Sequence, residues 1–485
     1  MRDRPAGRRD PVAALAEEIV DLFTADGYRI AEGPELEAEW FNFDALNMNA
    51  DHPSRGVGKA FPIEGPSGRS GLVLRGHTSP VQVREMLTRP VPLRMVTVGR
   101  VFRPDPLDAT HSPVFHQAEG LAVAEDLEMD DLRDTLGRFA TAMFGRRTPV
   151  RLRPHRFAYT DPSAEADVRC PACQGRACEL CGDGWVEWAG CGMVHPRVLT
   201  TCGIDPRRYT GFAFGAGVER TLMLRHGLSD IRDVIGHDGS HQTVQPPLRR
   251  PVPDSSGPVS PFRRRQATAH ALTVAGWTET QTDPFLDPAI WDAFGLPQDD
   301  PHRAQLHVTN PLDGLPSALR TSLLPGVLTA LRTRTRHASG ELRLFEQGTV
   351  FLSPPAGLRP PEPAPPTGGP PQPERLAALL AAVPSQPCHL AAALTGAGHW
   401  QAIIHVIQAV GRQWDVSLRP ERGPRGGTPP WCGGRWARVV SGGTPVGEAG
   451  ELDPAVLRRL SFPDGVVALT LDLDAMNRLN GEERT

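Results

Sequence analysis

The chain of 485 residues is 39% hydrophobic and 22% charged, with a formal net charge of −4. That length predicts two to four domains with sizeable cores, and the charge excludes a broadly basic nucleic-acid coat, leaving room only for a local basic patch. No apolar run approaches the roughly 18 residues of a membrane span, and the basic opening "MRDRPAGRRD" has no apolar segment behind it, so no secretory leader is expected and a cytoplasmic setting is.

In chain order, residues 1–10 read as a basic tail, and "PVAALAEEIVDLFTADG" as a helix. A strand-like run, "YRIAEGPELEAEWF", follows and is interrupted by Pro34. Residues 72–124 alternate short apolar runs with turns, the mark of strands and loops. "EDLEMDDLRDTLGRFATAMFG" is an amphipathic helix whose acidic first turn suits the helix dipole. A further strand region ends at "GFAFG", and a helical pattern takes over at about Val218, with the charged pair Glu219-Arg220 at the changeover. The polar, Pro-rich stretch 238–260 reads as a linker. A second globular region spans 261–480 and contains another Pro-rich, low-complexity segment at about 353–374. No short repeat is evident. Lys59 is the only lysine, so nearly every cation is arginine and lysine is not a general catalytic resource.

"CPACQGRACELC" places Cys170, Cys173, Cys178 and Cys181 in a C-x2-C-x4-C-x2-C array. Two such knuckles bring four thiolates tetrahedrally around zinc. Disulfides are the rival reading, although nothing points to export, and a knuckle without its metal is the bland one. Four thiolates leave no open coordination position, so the expected zinc is structural. Cys191, Cys202, Cys388 and Cys432 lack ligand spacing and read as packing residues.

The chemistry starts from arginines. "RMVTVGRVFRPD" puts Arg103 at the end of an apolar run, and "THSPVFHQAEG" returns as a second strand carrying Phe115. A guanidinium can pair with phosphate through its planar fork while an aromatic face stacks on a purine. Either arginine alone is more often simply solvated. Together Arg103 and Arg220 suggest a polyphosphate clamp, with the glycines before Arg220 allowing close backbone approach.

These segments resemble a known family. "GFAFGAGVERTLMLRHGLSDIRD" is similar to motif 3 of the phenylalanyl-tRNA synthetase catalytic subunit, a class II aminoacyl-tRNA synthetase. "GRVFRPDPLDATHSPVFHQAEGL" resembles its motif 2, and "GYRIAEGPELEAEWFNFDALN" its motif 1 region; "RGHTSPVQVREM", "FAYTDPSAEADV" and "GCGMVHPRVL" resemble further blocks. The resemblance covers roughly residues 11–237 and implies an α+β fold, an antiparallel sheet flanked by helices. It implies that Arg103 holds the α-phosphate of ATP, Arg220 the γ-phosphate, and Phe115 the adenine. The implied reaction is in-line displacement at the α-phosphorus, giving an aminoacyl-adenylate and pyrophosphate by positioning and charge neutralisation. His77, Ser79, Gln82, Gln117 and Glu119 match positions that hold the amino acid's charged ends. Phe157 and Tyr159 match an aromatic pair that meets its ring, here "FAY" in place of "FPF". Ala213 matches a small residue at the pocket floor. Asp161 stands where the family has a glutamate ligand for Mg2+; its bland reading is a turn residue before Pro162. Gly58 and Lys59 depart from the family pattern, which leaves phenylalanine as the expected substrate with a related aromatic amino acid open.

The second half, through "RRRQATAHALTVAGWTETQTDPFLDP", "LHVTNPLDGLPSALRTSLLPGVLTALR" and "GELRLFEQGTVF", resembles the catalytic-like region of the same enzyme's other subunit. It shows no motif 3 signature, so a second, non-catalytic class II-like domain is expected. The resemblance leaves no counterpart for the family's coiled-coil arm, editing domain, acidic helix or anticodon-binding domain, and a weakened grip on tRNA is expected. Two functions remain: an ATP- and Mg2+-dependent enzyme that passes an aromatic aminoacyl group to tRNA or another acceptor, and a catalytically weak paralogue that senses amino acid or ATP. One module of each kind per chain predicts a homodimer, with Pro34 and the first helix near the shared surface.

Overall fold

The computed structural model describes residues 7–482 except 57, 66–67, 146–147, 179–180, 236–243, 245, 247–258, 337–339, 354–368, 397–398, 425–427 and 463–464. Most of the expected linker and Pro-rich insertion therefore lies outside the described residues. The last residues of that insertion already begin a helix, Pro373–Ala382.

Helix α1 (Pro11–Ala25) starts where the Asp10 carboxylate accepts hydrogen bonds from the amides of Val12 and Ala13, and Pro11 supplies a helix-ready φ. Val12, Leu15, Ile19 and Phe23 recur at three- and four-residue spacing and form its buried face. The broken strand is seen as β1 (Arg29–Ile30) and a short strand at Leu36–Ala38, on either side of Pro34. The short strand joins Phe61–Gly65 and Gly68–Leu74 in a small three-stranded sheet. Then come α2 (Ser79–Thr88), β2 (Leu93–Phe102), β3 (Val114–Ala124), α3 (Met129–Phe144), β4 (Val150–His155), β5 (Thr160–Arg169), β6 (Trp185–Val194), β7 (Thr210–Gly217) and α4 (Val218–His226). In space the main sheet runs β1-β2-β3-β7-β6-β5-β4, and only the β1–β2 pair is parallel.

The second half repeats this plan. After α5 (Pro261–Val274) come β8 (Thr278–Glu279), α6 (Leu324–Thr335), β9 (Arg343–Thr349), β10 (Cys388–Thr395), α7 (Trp400–Trp414), β11 (Leu418–Arg422), β12 (Trp431–Ser441), β13 (Thr444–Leu452), β14 (Val466–Asp472) and α8 (Leu473–Glu482). The sheet order is β8-β9-β10-β14-β13-β12-β11, the first sheet position for position, again with one parallel pair at the β8 edge. The repeat is a whole module, far longer than the short periods that sequence inspection detects.

The duplication extends to single contacts. The Arg75 guanidinium donates Nε–H to the Arg100 carbonyl at 2.8 Å, and Arg320 donates to the Thr349 carbonyl at 3.0 Å. A Cβ on Gly99 would fall 2.1 Å from Arg75 Nη2, and one on Gly348 would fall 2.6 Å from Arg320 Nη2. Each module thus lays a buried arginine across a glycine of its second strand, where any side chain would collide. The catalytic-type face is not repeated. Where β3 carries Glu119, paired to Gly215, β10 carries Ala391, paired to Thr470. Ala391 and Ala393 are fully buried with Leu324, Val327, Leu328 and Leu331, so apolar packing fills that space.

The two halves close on each other within the chain. Arg9 pairs with Glu279 (2.7 Å) and Glu17 (2.6 Å), Arg263 with Asp21, and Arg265 with Glu32. Gln386 exchanges two hydrogen bonds with the backbone of Leu36, and Asn310 donates to the Ala60 carbonyl. Phe285, Leu319 and Phe351 of the second half share one core with Leu36, Phe61 and Leu74 of the first. Two expectations change as a result. Residues 7–10 are not a free tail: Arg9 is 5% exposed, and the backbone of Gly7 and Arg8 bonds to Thr273 and Glu279. The Pro34 region and α1, expected at a surface shared between copies, face the chain's own second half.

Candidate active site

A cavity of about 540 Å³ opens on the first sheet, within the range of small-ligand sites. Its centre is Glu119 on β3, 2% exposed. The carboxylate accepts hydrogen bonds from Thr78 Oγ1 (2.7 Å), Gln117 Nε2 (2.7 Å) and Gln82 Nε2. Burial pushes its pKa up, while the hydrogen bonds from Thr78, Ser79 and Gln117 pull it back. Three donors fixed by the fold hold the carboxylate in place at the wall of a recess that mixes polar and apolar side chains. Register explains how they meet: Gln117 and Glu119 lie two apart on β3 and so on one face, and α2 delivers Ser79 and Gln82 from above. Gly215, opposite Glu119 on β7, leaves room, since a Cβ there would sit 2.7 Å from Gln117 Nε2.

Arg103, just past β2, donates Nε–H to the Gly76 carbonyl at 3.0 Å, and its guanidinium lies 5.1 Å from the Phe115 ring centre. Phe157 and Tyr159 stack at 5.6 Å and 12°, and the Phe157 ring passes over Gly190, where a Cβ would meet it at 3.1 Å. His77 also stacks on Tyr159, at 6.1 Å, and both of its ring nitrogens are buried. Burial first, then the charges of Arg103 and Arg75, drive the His77 pKa down to about 3, so the imidazole is neutral. The cavity wall therefore gathers His77, Ser79, Gln82, Arg103, Phe115, Gln117, Glu119, Phe157, Tyr159 and Ala213, ten of the residues singled out in the sequence.

Two of the singled-out residues stand apart from the wall. Arg220 sits half-buried in the first turn of α4, three residues past Gly217, which does line the cavity. Its side chain has no hydrogen bond or ion pair among the described residues. Asp161 is exposed at the head of β5, outside the wall; the carboxylates of that region facing the cavity are Glu165 and Glu187. Glu165 lies in the regular ladder opposite Gly190, whereas Asp161 falls in the register irregularity between Thr160 and Ser163 at the start of the strand. Two further residues were given no role in the sequence. Thr78 lies inside the "RGHTSPVQ" block, yet only its complete burial against Glu119 shows its part. Glu219 accepts hydrogen bonds from the His116 amide (2.9 Å) and Nδ1 (2.7 Å), tying α4 to the strand that carries Phe115.

The four cysteines cap the β5–β6 hairpin. All are free thiols, with sulfurs 3.5 to 3.9 Å apart for three of the pairs and all within 4.8 Å of one another. Tetrahedral zinc with Zn–S bonds of about 2.3 Å needs sulfurs roughly 3.8 Å apart, so the geometry fits. The turns depend on Gly175 and Gly184, both at positive φ; a Cβ on Gly184 would strike the Gly175 carbonyl at 2.6 Å.

Residues 1–243 match the family described as "tRNA synthetases class II core domain (F)". The chain belongs to this class II synthetase family. Residues 251–473 match "Phenylalanyl tRNA synthetase beta chain CLM domain", so the two modules correspond to parts of two subunits. The chain is 55% identical over 244 residues to the phenylalanine–tRNA ligase alpha subunit of Streptomyces coelicolor, a match that covers 48% of this chain and 68% of that protein. It is 51% identical over 243 residues to the same subunit of Thermobifida fusca, covering 48% and 65%. A looser likeness joins it to the pyrrolysyl-tRNA synthetase structure from Desulfitobacterium hafniense, with a TM-score of 0.36, 17% identity and coverage of 47% and 73%; nothing rests on it.

The neutral His77 of this synthetase core has a pH signature. Its folded pKa is depressed to about 3, against about 6.5 in an unfolded chain. Below pH 6.5 the unfolded state takes up a proton that the fold refuses, so stability falls as pH drops through that window; above it the group has no effect. Denaturant unfolding at pH 7.5 and pH 5 should show a loss on acidification that shrinks by on the order of 1 to 2 kcal/mol in His77→Gln. An equal loss in both proteins would refute a neutral buried imidazole.

Proposed function

We propose that the protein activates phenylalanine, or a closely related aromatic amino acid, with ATP to form the aminoacyl-adenylate, and passes the acyl group to tRNA. The observation that carries this is one cavity holding an anchored carboxylate, Glu119, opposite an arginine–aromatic pair, Arg103 and Phe115. Glu119 suits the substrate ammonium, and Phe157, Tyr159 and Ala213 bound a slot for its ring. Arg103 suits the α-phosphate, where carboxylate and phosphate, both anionic, must meet. Arg220, just past Gly217 and without a partner among the described residues, suits the γ-phosphate. Mg2+ arrives with ATP, and Glu165 and Glu187 are better placed than the exposed Asp161 to face it. No enzyme nucleophile is required; the catalysis is positioning and charge neutralisation. Arg103→Ala and Arg220→Ala should each slow amino-acid-dependent pyrophosphate exchange about a hundredfold, the loss of about 3 kcal/mol of transition-state stabilisation, with melting temperature unchanged. A wild-type protein that binds phenylalanine and ATP but exchanges no pyrophosphate would instead support the sensing role.

Structural zinc on Cys170, Cys173, Cys178 and Cys181 is part of the proposal, supported by the sulfur spacing. Metal analysis should find one zinc per chain, and Cys173→Ser should lower both zinc content and melting temperature, because structural zinc contributes folding free energy directly. Metal-free protein of undiminished stability would remove it.

No helix among the described residues is long and apolar enough to cross a membrane. The Pro34 region and α1, expected to pair two copies, face the chain's own second half, so a homodimer would have to use another surface. Light scattering at micromolar concentration should therefore report an active species near the 52.6 kDa chain mass. An active species of twice that mass, with no smaller one on dilution, would restore the dimer.

A further inference from the structure

Arg220 is held in place by its neighbours rather than by its own side chain. Glu219 before it is 2% exposed, and Thr221 after it is fully buried. Thr221 Oγ1 donates to the Gly217 carbonyl at 2.7 Å and accepts from Trp188 Nε1 of β6 at 2.9 Å. The two Glu219 oxygens accept from the His116 amide at 3.0 and 2.9 Å, and one of them accepts from His116 Nδ1 at 2.7 Å. Arg220 between these anchors has no partner among the described residues, which leaves its donors to a ligand.

Register explains why a carboxylate stands there. The β3–β7 ladder ends at the pair Gln117 and Gly217, where β7 turns into α4. His116, one residue earlier on β3, has no β7 residue opposite it, and its amide still needs an acceptor. The Glu219 side chain supplies one. The bond joins the two elements one residue away from Phe115 on β3 and one residue away from Arg220 on α4. On the activation reading those are the contacts for the two ends of one nucleotide, adenine and γ-phosphate. Charge alone makes Glu219 look harmful, since an acid beside an anion-binding arginine lowers the attraction for phosphate. Positioning and charge therefore predict opposite effects when the carboxylate is removed.

We propose that Glu219 is a positioning residue for the nucleotide: through His116 it fixes the span between Phe115 and Arg220 and so presets the site for a nucleoside triphosphate. Its own oxygens are spent on His116, so it acts through Arg220 and touches no substrate. This role rests on the activation reaction proposed above.

The test is a double-mutant cycle in pyrophosphate exchange, with Glu219→Ala, Arg220→Ala and the double variant. Glu219→Ala should raise the KM for ATP about tenfold or more, because a small displacement is costly where positioning drives the reaction, and leave the KM for phenylalanine unmoved. In the Arg220→Ala background the same substitution should add no more than about twofold, since the contact it positions is already gone. Glu219→Gln keeps an oxygen for the His116 amide and should recover most of the loss. A lower KM for ATP in both Glu219 variants would show that only charge acts there and would overturn the inference. So would an undiminished effect in the Arg220→Ala background, or an equal rise in both KM values. Should Glu219→Ala lose its cooperative melting transition, His116→Ala, which removes the Nδ1 bond alone, carries the test with the same split between ATP and phenylalanine. Wild-type protein that exchanges no pyrophosphate would sink the activation reading itself, whereas active wild type with an unchanged KM for ATP in Glu219→Ala would sink this inference alone.

Discussion

Two buried guanidiniums hold the architecture in register. Arg75 reaches the carbonyls of Gly33, Pro34 and Arg100, stitching the irregular stretch after β1 to the strand that ends at Phe102, just before Arg103. Arg320 does the same for the second module, bonding Thr282, Glu346 and the Thr349 carbonyl. A guanidinium suits this position because its five donors lie in a plane and stay charged when buried. Each spans backbone groups that no regular ladder could satisfy, and each demands a glycine beneath it. The two networks also meet, since Glu35 of the first module pairs with Arg100 and accepts a bond from Thr349 of the second. The edge of each sheet is thereby the junction between modules, and the active-site strand β2 is braced by both.

The cavity follows from that bracing. With β2 and β3 fixed, the pleat puts Gln117 and Glu119 on one face, and Thr78 and the start of α2 lower Ser79 and Gln82 onto them. A buried carboxylate with three donors is costly to build and rigid once built. Rigidity is what a reaction driven by positioning requires. The second module keeps the frame and loses the contents: the positions of Glu119 and Gly215 become Ala391 and Thr470, and three leucines and Val327 of α6 pack into the space a substrate would need.

Much of this was readable from residue order alone. The sequence read α1 as a helix, amphipathic period with an acidic first turn located α3, and the strand-to-helix changeover at Val218 is where β7 gives way to α4. The cysteine spacing announced a four-sulfur cluster, and ten of the substrate and nucleotide positions converge on one cavity. What escaped has a common cause, which is that it depends on partners distant in the chain. Arg9 looks like a solvated tail charge until Glu279 is folded against it. Asp161 and Glu165 are both acidic residues of one strand, at a spacing that a regular pleat would put on one face, and only the register irregularity between Thr160 and Ser163 separates them. Glu219 passed for the neighbour of a phosphate ligand, yet it ties a helix to a strand. The doubled fold leaves almost no trace in residue identity because what it conserves is hydrogen-bond topology, kept by an arginine and a glycine in each copy.

Joining both modules in one chain alters the thermodynamics of their contact. Two separate subunits must offset the lost freedom of association, about 4 to 15 kcal/mol, before any interface is populated, and their contact weakens on dilution. Here that cost is absorbed when the chain folds, and the contact has an effective concentration set by covalent connection, independent of how much protein the cell makes. An interface relieved of that demand can retain buried ion pairs such as Arg9–Glu279 and Arg263–Asp21, which add selectivity of fit more readily than affinity. The catalytic module never exists without its brace, at any expression level.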